Sequence, residues 1–161
     1  MYRIRRATAA DAGVLARHRA EMFCDMGELP DGLYDALVEA ARAYVTQAIT
    51  DGRYVGWVAE LDAESGEIVG GAGLQLRELL PRPNPGGERL VRGPQGLVVN
   101  VYTERAWRRR GVADALMREL LRWCSGNGVE SIVLHASGEG RPLYQKLGFT
   151  PTNEMRYDGS L

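Results

Sequence analysis

Apolar residues recur along this chain with two periods, near 3.6 and near 2, and the switches between them predict its elements. Tyr2 to Arg6 alternates as a short strand does. Thr8 then stands at a helix N-cap position with Asp11 three residues later, an approximate capping box, and predicts a helix from about Ala9 to Met26. Its apolar stripe passes through Leu15, His18, Met22 and Met26. The segment from Gly27 to Gly32, with Pro30 inside it, breaks the pattern before a second helical stretch from Leu33 to Ile49. Tyr54 to Leu61 places Val55, Trp57, Ala59 and Leu61 on one face of a strand, Asp62 to Glu67 supplies turn residues, and Ile68 to Leu79 returns as the other arm of a hairpin. Glycines at 70, 71 and 73 weaken that arm and allow a ligand or another backbone to come close.

Pro81 to Gly96 contains four prolines and four glycines, which predicts a long irregular connection acting as a lid or pocket wall. Gly96 to Thr103 is a strongly apolar strand, Gly111 to Cys124 a helix, Ser131 to Ala136 a buried strand, and Gly140 to Leu147 a short helix ended by Gly148. A last strand is expected within Thr152 to Tyr157. The order β-α-α-β-β-β-α-β-α-β predicts an α+β fold, a mixed sheet with helices on both faces.

Composition narrows the function classes. A chain of 161 residues with 45% hydrophobic side chains fits one compact domain spanning residues 1–161. Twenty basic residues against 21 acidic ones leave a net charge of -1, so no general affinity for nucleic acid or anionic membrane is expected. Cys24 and Cys124 have no Cys-x-x-Cys spacing and no neighbouring histidine pair, which argues against a metal site or disulfide framework. With no apolar run of membrane-spanning length and no signal core, a soluble protein of the reducing cytoplasm is expected.

The local concentration of chemistry lies where the strand Leu97 to Thr103 gives way, through Arg108-Arg-Arg-Gly111-Val-Ala113, to a helix. N–H groups at a helix start lack internal partners and carry partial positive charge, so a pyrophosphate can be held there mostly by backbone. Small residues at 111 and 113 keep side chains out of the way of phosphate oxygens, and Arg108, Arg109 and Arg110 can add charge-assisted bonds. Three arginines and a glycine alone would read as a solvated turn. Here the next helix directs Val112, Leu116, Met117, Leu120, Leu121 and Cys124 inward and Asp114, Arg118 and Arg122 outward, which fixes the turn at the carboxyl end of a strand, where open sheets bind ligands.

Arg108-x-x-Gly111-x-Ala113 and, downstream, Gly140-Arg-Pro-Leu143-Tyr144-Gln-Lys146-Leu147-Gly148-Phe149 together resemble the two signature motifs of the GNAT superfamily of acyl-CoA-dependent N-acyltransferases. The resemblance implies a mostly antiparallel central sheet and acetyl-CoA as acyl donor, with direct transfer to a primary amine in a ternary complex. By the same resemblance the backbone of Val101, Tyr102 and Thr103 pairs with pantetheine, and an N–H there polarises the thioester carbonyl. Arg108, Arg109, Arg110, Gly111, Val112 and Ala113 take the pyrophosphate, and Tyr144 protonates the leaving thiolate. Two departures stand out: Arg105 replaces the usual proline before the signature arginine, and Ser137 replaces an asparagine that contacts the cofactor.

No motif fixes the general base. His135 has the right intrinsic pKa, Glu154 and Glu28 are carboxylate candidates, and Asn100, polar in an apolar strand on the face of Val98 and Tyr102, cannot be a base but can position water or substrate. Each of these is more ordinarily structural. His18 and the tyrosines Tyr34 and Tyr44 lie on apolar helix faces and read as core, although the helix pair is where the resembled family builds much of its acceptor pocket. Trp57, Trp107 and Trp123 form no recognition platform. The acceptor is a small-molecule amine or a peptide, its side of the site completed by the 81–96 loop or by a second subunit of a homodimer. A non-catalytic acyl-CoA-binding sensor or interaction module is the alternative from another class.

Overall fold

The computed structural model describes residues 1–62 and 65–159. Its central sheet takes strands β1 (Tyr2–Arg6), β2 (Tyr54–Leu61), β3 (Ile68–Arg77), β6 (Gln95–Thr103) and β7 (Ser131–Leu134) in that spatial order. All neighbours are antiparallel except β6 and β7, which run parallel. The remaining two strands, β4 (Arg82–Pro83) and β5 (Leu90–Val91), pair only with each other. Helices α1 (Ala12–Asp25) and α2 (Tyr34–Thr50) lie between β1 and β2, α3 (Val112–Gly126) follows β6, and α4 (Arg141–Lys146) follows β7. This is the expected mixed, mostly antiparallel sheet with helices on both faces.

Alternation along β2 divides the core. Val55, Trp57 and Ala59 join Leu74, Val98 and the α3 residues Val112, Leu116, Met117, Leu120 and Cys124 on one face. Tyr54 and Val58 face the other way, onto Ala12, Leu15, Val45 and Ala48. Leu116 and Leu120 are fully buried, and each contributes about 1.5–3 kcal/mol relative to exposure. The β3 glycines serve these helices: a Cβ at Gly70 would lie 2.8 Å from Val112, and one at Gly71 2.9 Å from Leu15. At Gly70 the backbone of the next strand also comes close, the Tyr102 carbonyl lying 3.1 Å from where a Cβ would stand.

The chain enters α1 through a 3-10 turn, Ala9–Asp11. The Asp11 carboxylate accepts the Thr8 N–H at 2.8 Å and also two bonds from Arg5, at 2.9 and 3.0 Å. Arg5 reaches on to Glu60 at 3.0 Å, so α1 is tied to the first two strands through a half-buried ion network.

Three expectations change. Residues 152–157 form no strand: Met155 is 94% and Tyr157 68% exposed, so the segment buries no apolar face that would hold it to a sheet. Strand β7 ends at Leu134 and is half-buried instead of buried. The 81–96 connection is a small hairpin that leans on the turn after α3, with Arg89 bonded to Glu130 at 2.8 Å, and it lines neither cleft described below. Of the predicted turn from Asp62 to Glu67, residues 63 and 64 lie outside the described residues.

Candidate active site

The site begins with an interruption in β6. Val99 pairs with Gly73 and Tyr102 with Gly71, so Asn100 and Val101 together oppose the single residue Ala72. Asn100 takes the left-handed conformation, φ 60°, which makes this a bulge. The extra residue changes the strand's phase. Val98 and Val101 pack with α3, whereas Val99, Asn100 and Tyr102 face α1 and α2. Asn100 therefore shares its face with Tyr102 but not with Val98, a correction to the uniform alternation expected from sequence.

Beside the bulge the sheet opens. Pairing of β6 with β7 stops at Val98 and Leu134, although β3 follows β6 as far as Thr103. The edge of residues 99–103 that faces β7 has no strand partner, leaving backbone donors and acceptors for an extended ligand arm. His135 and Ser137 continue the chain on the far side of this wedge, where the Ser137 Oγ accepts the Gly140 N–H at 3.1 Å and shapes the turn into α4.

At the end of β6 the chain turns into α3 through two left-handed residues, Arg109 at φ 60° and Gly111 at φ 80°. Left-handed residues alternating with ordinary ones aim successive N–H groups into one concavity, a nest for an anion, and it lies at the N-terminus of α3. A Cβ at Gly111 would meet nothing nearer than the Tyr2 hydroxyl at 4.0 Å, so the protein leaves room for one; the positive φ is what demands glycine.

The three arginines divide. Arg108 is turned inward: its Nε donates to the Thr103 carbonyl at 3.0 Å, its guanidinium lies 5.5 Å from the centre of the Tyr102 ring, and it forms an ion pair with Asp25 at the end of α1. It braces the turn between β6 and α3. Arg109 and Arg110 are exposed beside the nest, Arg110 resting on Trp107. Asp25, which also pairs with Arg105 at 2.8 Å, was not among the sequence candidates, and a contact spanning 80 residues or more has no local signature.

Tyr144 projects from α4 into the edge of the α3-side core, its ring edge-on to Phe149 at 6.1 Å. Burial pushes its phenol pKa up, so the proton stays on at neutral pH. A Cβ at Gly140 would lie 2.8 Å from that ring, which explains the glycine before the helix. Of the base candidates, His135 and Glu154 meet each other at 2.8 Å, and both side chains are exposed. Glu28 is exposed on the turn after α1.

His18 is fully buried, with Nε2 3.2 Å from Glu104 and its ring 4.9 Å from that of Tyr102. Burial lowers its pKa to about 4, with Arg17 acting in the same direction, so it is neutral near pH 7. Arg17 shares Glu104 at 2.6 Å, and Tyr34 donates to Glu21 at 2.7 Å; Arg17, Glu21 and Glu104 border an open recess of about 430 Å3 beside Tyr102.

A second cleft, about 330 Å3, opens between α2 and the sheet at the bulge itself. Asn100 and Tyr54 form polar parts of its wall together with Val99, Tyr44, Gln75 and Arg19. The Asn100 Nδ2 donates to the Leu15 carbonyl at 2.9 Å, and its side chain lies against the buried Tyr54 hydroxyl. By sequence Tyr54 is only the start of a strand. Its proximity to the bulge requires Gly73, whose Cβ would fall 2.0 Å from the phenol oxygen.

The profile of the acetyltransferase (GNAT) family matches residues 18–149. Glucosamine 6-phosphate N-acetyltransferase of Trypanosoma brucei brucei is 30% identical over 95 residues, which span 58% of this chain and 59% of the relative. The crystal structure of a GCN5-related N-acetyltransferase from Ralstonia eutropha JMP134 superposes with a TM-score of 0.82 at 30% identity, covering 98% of this chain and 97% of that one. A predicted acetyltransferase from Clostridium acetobutylicum, solved with acetyl-CoA, gives 0.79 at 26% identity over 98% and 95%. No helix among the described residues is long and apolar enough to cross a membrane. The chain belongs to the acetyltransferase (GNAT) family.

Proposed function

We propose that the protein transfers the acetyl group of acetyl-CoA to a primary amine in a ternary complex. The observation that carries this reading is the wedge at the bulge, where β6 loses its β7 partner at the strand end that leads into the nest of Arg109 and Gly111. In this arrangement Arg109, Arg110, Gly111, Val112 and Ala113 hold the pyrophosphate, with Arg108 bracing them, and the free edge of Val101, Tyr102 and Thr103 pairs with pantetheine. A backbone N–H at that edge stabilises the developing oxyanion.

The amine nitrogen attacks the thioester carbon, a C–N bond forms, and the C–S bond breaks with its electron pair leaving on sulfur. Tyr144 gives that thiolate a proton and regains one from solvent, to which the nitrogen sheds its own. Its burial, which keeps the phenol protonated, suits an acid. The trypanosomal relative makes an amino-sugar phosphate one acceptor to test.

Release of free CoA thiol from acetyl-CoA in the presence of an amine panel, with acetyl-CoA binding followed separately by titration calorimetry, tests the proposal. Tyr144→Phe is expected to bind acetyl-CoA and to lose about 100-fold in kcat. Undiminished turnover in that variant removes Tyr144 from its role, and failure of the wild type to bind acetyl-CoA removes the proposal as a whole.

A further inference from the structure

Helix α1 ends on a carboxylate, the wrong charge for that position, because the last carbonyls of a helix already carry partial negative charge. Asp25 makes its bonds outside its own helix. Its two oxygens are divided between two arginines of one short turn: Oδ1 accepts the Arg105 Nη2 at 2.8 Å, and Oδ2 accepts the Arg108 Nη2. Its side chain is only 19% exposed. Arg108, opposed by burial and aided by Arg105, holds its carboxyl below the usual carboxylate range. Arg105 opens the 3-10 turn Arg105–Trp107 and Arg108 follows it, reaching back to the Thr103 carbonyl at 3.0 Å. Three points on the path from β6 to α3 are thereby tied to one another and to the end of α1.

The residue that follows is the one that needs holding. Arg109 has φ 60°, a left-handed conformation that costs free energy in any residue with a Cβ and persists only where its surroundings impose it. Its own side chain is exposed, so the constraint comes from α3 after it and from the Asp25-bound pair before it. Arg105 stands where proline is usual in the family. A proline ring would fix φ at this first position of the turn without outside help; here an ion pair to α1 takes its place.

We propose that Asp25 is a positioning residue for the cofactor: through Arg105 and Arg108 it holds the turn in the shape that keeps the nest of Arg109 and Gly111 open to a pyrophosphate. The assignment rests on the acetyl-CoA reading above and adds to it a residue of α1, 83 positions from Arg108. Charge and position act in opposite directions here, so the sign of one substitution separates them. Asp25→Asn keeps the side chain's shape, removes the carboxylate and frees two guanidinium groups beside a site for a polyanion. On charge alone, acetyl-CoA would then bind more tightly. On position, the nest relaxes and binding weakens.

Acetyl-CoA binding by the full chain is measured by titration calorimetry at about 0.15 M salt for the wild type, Asp25→Asn, Arg105→Pro and the double variant. The kcat for thiol release at saturating acetyl-CoA is measured alongside. Asp25→Asn is expected to weaken binding at least tenfold and to leave kcat within threefold, since a filled nest places the thioester as before. Arg105→Pro is expected to rescue it, because Glu104 already has ψ 140°, the extended conformation that proline requires of its predecessor. The double variant should therefore bind within threefold of the wild type. Unchanged or tighter binding in Asp25→Asn overturns the assignment, as does a folded double variant that binds no better than the single one, or a kcat that falls in step with binding. If the proline variants show no urea transition, the sign of the Asp25→Asn effect and its split between binding and kcat still decide. Absence of acetyl-CoA binding by the wild type overturns this assignment and the transfer reading together, whereas binding without thiol release from any amine overturns the transfer reading alone.

Discussion

At the scale of single residues, two glycines define the site for different reasons. Gly73 has ordinary φ but no room: the Tyr54 hydroxyl occupies the space of its side chain. Gly73→Ala is expected to lower stability by about 1–3 kcal/mol in urea unfolding through overpacking and to displace Tyr54 from the cleft. A midpoint equal to the wild type's would show that the tyrosine moves freely. Gly111 has room but a positive φ, and Gly111→Ala should cost about 1–2 kcal/mol and weaken acetyl-CoA binding measured calorimetrically. The motif around Gly111 was legible because its chemistry is local. Tyr54 was not, since its role depends on Gly73 across a strand pair and on Asn100 two strands away.

The joint between α1 and β6 sets behaviour at the scale of elements. His18 is neutral in the folded protein, with its pKa lowered to about 4, whereas an unfolded histidine takes a proton near pH 6.5. Between those values the unfolded state binds the extra proton, so stability falls as pH drops from about 6.5 to 4, by on the order of 2–3 kcal/mol. Asp11 moves the same way at lower pH. Burial raises its pKa, but its bonds from Arg5 and Thr8 outweigh that and hold it below the usual carboxylate range, so its contribution is lost only as pH falls below about 4. His18→Leu should remove much of the loss between pH 6.5 and 4 and leave the acid limb; urea midpoints across that range measure both. Helices α1, α2 and α3 and strands β2 and β3 were legible because each carries a long apolar stripe or alternation. The bulge left only a hint, one polar residue in an apolar strand, because it arises from the count of residues opposite β3 and not from their kind. The strand expected over residues 152–157 shows the reverse failure, since β propensity without a face to bury makes no strand.

Over the whole molecule, the two core layers leave the cysteines in contrasting settings. Cys124 is fully buried against the sheet, and burial pushes its thiol up to about 11, whereas Cys24 is exposed near the end of α1. One thiol per chain should react with a thiol reagent at pH 8 under native conditions and two in denaturant. Fast reaction of both in the native protein would mean that α3 is loosely packed. The same measurement supplies the background to be subtracted from CoA release. Trp57, fully buried between β2 and α3 and edge-on to Trp123 at 5.9 Å, is the largest member of that layer. Trp57→Ala should cost about 3–5 kcal/mol in chemical unfolding.

The unmatched residue in β6 also determines how this strand will respond to systematic mutation. In an uninterrupted strand, tolerance to charge alternates with every residue; here Val98 and Val101 share one layer while Val99, Asn100 and Tyr102 share the other. A map of tolerated substitutions should therefore skip a beat at Asn100. Deleting that residue would restore an even rhythm, with Val101 still on the α3 layer and Tyr102 still on the layer of α1 and α2, and would remove the bulge beside which β6 and β7 part.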